Sequence, residues 1–189
     1  MRKIYRPKKK YHLKQLCHNP KIHLSEIDTS LILDMSELFE GFDGSSEEKS
    51  RNFDGIETWE MDNVRNFSNM FYESNFNHPI ESWSVGNARN MAGMFSHTPF
   101  NQPLNSWDVS SVENMDEMFA NSKFNHPLDS WKLLAMREKP KDMFLNSAFQ
   151  GSLEFFSTIT PKQCQTYYLE KKWSKKLHSL FYKNMKGIL

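Results

Sequence analysis

Leu104-Asn105-Ser106-Trp107-Asp108-Val109-Ser110-Ser111-Val112-Glu113-Asn114-Met115-Asp116-Glu117-Met118-Phe119-Ala120-Asn121-Ser122-Lys123-Phe124-Asn125-His126-Pro127-Leu128 is the stretch that decides how this chain is organised. The unit before it carries Trp83, Val85, Asn90-Met91, Met94-Phe95 and Phe100-Asn101-Gln102-Pro103-Leu104. The unit before that carries Trp59, Val64, Asn66, Met70-Phe71 and Phe76-Asn77-His78-Pro79-Ile80. With Trp131, the tryptophans fall 24 residues apart each time. A fixed interval of this kind marks a repeat architecture, in which each unit buries its apolar face only against its neighbours.

Degenerate units flank the clear ones. Upstream, Ile27-Asp28 stands at the Trp-Asp position, with Ile32, Met35 and Leu38-Phe39 in register, and a nine-residue insertion swells the loop over 41–52. Downstream, the unit opened by Trp131 closes with Met143-Phe144, Asn146, Phe149 and Leu153. The total is about five units, irregular at the ends as terminal repeats are. Within a unit, Trp107-x-Val109 predicts an extended segment with both apolar side chains on one face and Asp108 on the other. Val112-x-x-Met115-x-x-Met118-Phe119 predicts a short amphipathic helix. Pro127 turns the chain back, and Asn77, Asn101 and Asn125 are expected as an inward ladder that satisfies backbone groups. The expected core is Trp59, Trp83, Trp107 and Trp131 with Phe71, Phe95, Phe119, Phe76, Phe100 and Phe124.

The Trp-Asp-Val-Ser…Val…Asn-Met…Met-Phe…Phe-Asn-x-Pro-Leu unit resembles the BspA-like leucine-rich repeat of bacterial surface proteins, over residues 25–154. Tyr5-Arg6-Pro7-Lys8, Ile27-Asp28-Thr29-Ser30 and Asp34-Met35-Ser36 resemble the cap ahead of such repeats. The resemblance implies a non-enzymatic interaction module. The fold class expected on this basis is an α/β repeat solenoid: a right-handed, leucine-rich-repeat-like coil of about five 24-residue turns. Short parallel strands would form one face and short helices the other, with helical caps at both ends. The expected divisions are a basic N-terminal cap at 1–24, the solenoid at 25–154 and a basic C-terminal helix at 155–189. Inside the first, 7–17 reads as a short amphipathic helix and 20–24 as an edge strand. In the last, Thr160-Pro161-Lys162-Gln163 reads as a helix start, running to about Met185.

A formal net charge of +1 hides a strong asymmetry. Residues 1–24 carry eight Lys/Arg and no acid, residues 161–189 seven Lys and one Glu, and residues 25–160 nine basic against 22 acidic side chains. An acidic body between basic ends favours a protein partner with a basic surface. Nucleic acid or a membrane surface gripped by the basic ends is the weaker reading. The residues set between buried Trp and Val predict a binding face of Glu60, Ser84, Asp108 and Lys132, extended by Asp62, Gly86 and Ser110. The 41–52 insertion is a second candidate.

No phosphate loop, zinc-protease helix or nucleophile elbow occurs. Cys17 and Cys164 make neither a disulfide framework nor a zinc spacing. His78 and His126 lie two units apart, about 10 Å at a strand spacing, too far to share an ion. The chain is therefore expected to be no enzyme and to need no cofactor or metal. With no signal peptide, lipoprotein motif or membrane span, a cytoplasmic location is expected. The preferred function is a protein-binding scaffold with an acidic surface. The alternatives are a small inhibitor or immunity protein that blocks a nuclease or toxin, and a host-facing surface or secreted factor exported without a cleavable signal.

Overall fold

Each tryptophan turns inward and finds a partner for its indole N–H in the unit before it. Trp59 Nε1 donates to the Leu24 carbonyl at 2.8 Å, Trp83 to Ile56 at 3.1 Å, Trp107 to Ile80 at 3.2 Å and Trp131 to Leu104 at 2.9 Å. A buried indole needs such a partner, and none of the four is more than 4% exposed. The computed structural model describes residues 3–47 and 49–159.

Beside the indoles run two columns of phenylalanine. Phe39, Phe71, Phe95, Phe119 and Phe144 stack face to face, with centroids 5.6–5.8 Å apart and planes within 10°. Phe76, Phe100, Phe124 and Phe149 form the second column at 5.8–6.2 Å. Within a unit the two columns meet closely, Phe71 on Phe76 at 3.6 Å and Phe95 on Phe100 at 4.0 Å. A buried hydroxyl closes each junction: Ser74, Thr98 and Ser122 Oγ donate to the carbonyls of Phe71, Phe95 and Phe119 at 2.6–2.7 Å. Phe39 and Phe144 extend the first column into the degenerate units, which therefore belong to the same core.

The α/β architecture expected from the sequence does not form. Among the described residues there is no sheet. Parallel pairing is confined to isolated bridges that link Asp34, Asn66, Asn90 and Asn114, with a fourth between Tyr5 and Ile27. The Trp-x-Val segment is too short for a ladder, because the Trp107 N–H is already spent on Leu104 and the Val112 N–H on Val109.

The methionine segments are not helices either. Glu37, Asn69, Gly93, Glu117 and Asp142 have positive φ, and so do Gly41, Glu73, His97, Asn121 and Asn146 four residues later. A left-handed residue every fourth position breaks an α-helix. The backbone instead runs through consecutive turns, with Met70 N–H on the Phe67 carbonyl, Tyr72 on Asn69 and Ser74 on Phe71. The intervening donors cross to the next unit, as Phe67 to Asn90, Asn69 to Ala92, Phe71 to Met94 and Glu73 to Ser96 at 2.8–3.1 Å. Turns that bond residues three apart place Met and Phe inward just as a helix would, so apolar spacing alone does not separate the two.

Three smaller expectations are corrected as well. Residues 20–24 are not an edge strand; Leu24–Glu26 is a single 3-10 turn. Asn77, Asn101 and Asn125 face solvent, not the interior. Their side chains still bridge units, since Asn77 Oδ1 accepts from Asn101 N–H at 2.8 Å and Asn101 Oδ1 from Asn125 N–H at 2.9 Å. Leu153 is 38% exposed. The helix expected over 160–185, with Cys164, lies outside the described residues.

The N-terminal segment forms the one α-helix among the described residues, α1, at Lys10–His18. Leu13 and Cys17 bury its inner face, and desolvation pushes the Cys17 thiol well up, leaving it unreactive. The 41–52 insertion is pinned, through Arg51, to the loop that follows this helix. Arg51, 8% exposed, donates to the Asn19 carbonyl at 2.7 Å and the Ile22 carbonyl at 2.5 Å. We expect Arg51→Ala to cost about 1–3 kcal/mol, because the buried Ile22 carbonyl and the partly buried Asn19 carbonyl lose a charged donor. Chemical denaturation would show it as a lower midpoint, and an unchanged midpoint would mean that the insertion is not anchored this way.

Candidate interaction surface

A turn that closes three residues before each tryptophan orients the polar file. Trp83 N–H bonds to Ile80 and Trp107 N–H to Leu104, both at 3.1 Å, which swings the indole in and the next residue out. Val85 and Val109 then return inward, each 1% exposed. Glu60, Asp62, Ser84, Asp108 and Lys132 are consequently exposed, while Gly86 and Ser110 are half-buried.

The file is continuous between units. Thr29 Oγ1 donates to the Glu60 carbonyl and accepts from its N–H, both at 3.0 Å. Asn87 Nδ2 donates to the Asp62 carbonyl at 2.7 Å. Asp108 Oδ2 lies 3.5 Å from where a Cβ on Gly86 would stand. Ser110 accepts at its carbonyl from Ala135 N–H at 3.0 Å. The charge along it is uneven: acidic at 60, 62 and 108, neutral at 84 and 86, basic at 132.

The structure adds Asp28 to this file, through the contacts of its neighbour Thr29 with Glu60. Its place at the Trp-Asp position was the signal in the sequence. Asp28 and Asp108 are held alike, each Oδ1 accepting from the N–H two residues on, Ser30 and Ser110, at 3.0 Å. Hydrogen bonds from those serines, with Arg6 assisting at Asp28, hold both carboxyls below the usual range. Whatever stability they contribute is present above the ordinary carboxyl range and lost as pH falls through the lowered values. Arg6 Nε sits 3.1 Å from Asp28 Oδ2.

A second acidic patch was not foreseen. Hydrogen bonding to Glu73 and the negative charges of Glu73, Glu40 and Glu117 push the Tyr72 phenol up. These acids come from three different units and meet where the turns carry them outward along the ladder.

The family model described as "Mycoplasma protein of unknown function, DUF285" matches residues 34–156 of the 189. The chain belongs to this family. No curated protein matches it, and no solved structure does. The DUF285 match opens at Asp34, the first rung of the ladder of bridges, and closes at Phe156, the last buried ring of the core. The helix α1 and the segment that leads into it stand ahead of the matched region.

Among the described residues, no three His, Cys, Asp or Glu side chains gather to hold a metal ion. His78 Nε2 instead approaches Glu57 Oε2 at 3.3 Å, and His126 Nε2 bonds to the Asn101 carbonyl at 3.1 Å. No helix among the described residues is long and apolar enough to cross a membrane.

Proposed function

We propose that this DUF285 chain is a non-enzymatic protein-binding module. Its file of Glu60, Asp62 and Asp108, continuing from Asp28, which Arg6 already occupies, takes basic side chains of a protein partner, and Ser84, Ser110 and Lys132 complete the contact. The observation that supports it is Arg6 on Asp28: the molecule already seats a guanidinium on the first position of the file, in charge-assisted contact. The likeness of the unit to the BspA-like leucine-rich repeat points to the same class of module.

An arginine-rich peptide labelled with fluorescein tests the reading. Affinity should fall steeply as salt rises. Glu60→Lys with Asp108→Lys should weaken binding by about tenfold or more, equivalent to about 1.4 kcal/mol. Glu73→Lys with Glu117→Lys, on the patch around Tyr72, should leave it within about twofold. If the second pair weakens binding and the first does not, the partner-facing surface is the ladder side and the proposal fails.

A further inference from the structure

We propose that the cleft between the N-terminal segment and α1 is a second docking site, of opposite charge, for an acidic peptide segment with an apolar anchor. The cleft is an open concavity of about 630 Å³, lined by Ile4 to Lys9 together with Tyr11, His12, Gln15 and Leu16. No acidic residue lies among them, nor anywhere in residues 1–24.

The cations of this region divide into two groups. Those that tether the cap to the acidic body are engaged. Lys3 Nζ donates to the Ile27 and Thr58 carbonyls at 3.0 and 3.1 Å, and Arg6 pairs with Asp28. Lys10 bonds to Ser36 and lies 3.7 Å from Asp34, while Lys14 Nζ donates to the Glu37 carbonyl at 3.1 Å. Lys8 and Lys9 are exposed, and their ammonium groups make no hydrogen bond or ion pair among the described residues. Both stand on the cleft. Packing the cap onto the repeats therefore leaves two uncompensated positive charges on this concavity, while Lys21, also exposed, lies outside it.

The cleft also presents apolar surface. Ile4 is 62% exposed and Tyr11 56%, two of the largest exposures among the hydrophobic side chains described. Tyr11 rests on the His12 ring with centroids 3.9 Å apart. A concave site with aromatic and aliphatic walls and convergent charges suits a short segment that offers carboxylates and one large apolar side chain. Charge argues against the chain's own residues 161–189, which carry seven Lys and one Glu. The exposed aliphatic Ile4, and a Tyr11 ring tilted at 47° against His12, favour a peptide over a nucleic-acid strand, whose bases need free aromatic faces. This site does not rest on the acidic file, and it selects partners of the opposite sign.

The test is fluorescence anisotropy of the full chain with a labelled Glu-rich peptide bearing one phenylalanine. Binding at low salt is expected, weakened about tenfold or more by Lys8→Glu with Lys9→Glu. Tyr11→Ala, which keeps the charges, should weaken it by a smaller factor, and the same peptide with Gln for Glu should not bind. All three positions are exposed, so melting should be unchanged and a lost signal is not unfolding. The proposal is overturned if the wild-type chain does not bind, or if the double reversal leaves affinity intact. Single-stranded DNA that outcompetes the peptide would also overturn it, as would dimers of the chain that dissolve on the double reversal.

Discussion

Trp107→Ala is expected to lower stability by about 3–5 kcal/mol. The side chain is 3% exposed and lies parallel to Trp83, with centroids 6.4 Å apart and planes 8° from each other. Truncation removes that stack, the contact with Phe95 at 6.4 Å and the donor to the Ile80 carbonyl. The vacancy lies in the middle of the column, where the units above and below are held by their own ladder bonds and collapse only in part. For a chain of this size the loss corresponds to roughly 6–20 °C in melting temperature. Trp107→Phe keeps an aromatic ring and loses the N–H, so it should cost about 1–3 kcal/mol. A melt of Trp107→Ala within a degree or two of the parent would show that the indole does not carry the stack.

Gly55→Ala should be comparably damaging, for a reason of backbone geometry. Gly55 has φ +92°, outside the ordinary range of a side-chain-bearing residue. A Cβ there would stand 2.5 Å from the Ser25 backbone nitrogen and 2.9 Å from Ser25 Cβ. Both atoms belong to the first unit, against which the chain returns after the 41–52 insertion. Strain and the backbone clash together should cost about 3–5 kcal/mol. Gly93→Asn provides the contrast. Gly93 also has positive φ, but an added Cβ meets only the tip of the Asn69 side chain. Asn69, Glu37 and Glu117 occupy the equivalent position in other units, so the cost should be about 1 kcal/mol or less. Denaturant midpoints of the two variants decide the matter; equal losses would remove the backbone argument at Gly55.

Much of the candidate site was legible in the sequence. Alternation around Trp107 and Val109 put Asp108 outside, and the 24-residue interval carried that placement to Glu60, Ser84 and Lys132. The patch of Glu40, Glu73 and Glu117 was not legible, because Glu73 and Glu117 hold different places in their units. Only the turn geometry and the stacking bring them near Tyr72. The free lysines of the cap were equally hidden. Eight cations in residues 1–24 read as one block, and it takes the docked structure to separate the tethers Arg6 and Lys10 from Lys8 and Lys9.

The sequence by itself determined the period, the register and the occupants of the core. Burial of Trp and Phe is enforced by their apolar area, and a repeated unit has nothing but its neighbours to bury them against. Only the tertiary structure decided the path of the backbone. A three- and four-residue apolar rhythm suits a helix and a run of turns equally. The choice fell to Asn, Gly, His and Glu residues that accept a left-handed conformation once their N–H groups can reach carbonyls of the next unit. Those bonds join residues more than twenty apart, and no local pattern announces them.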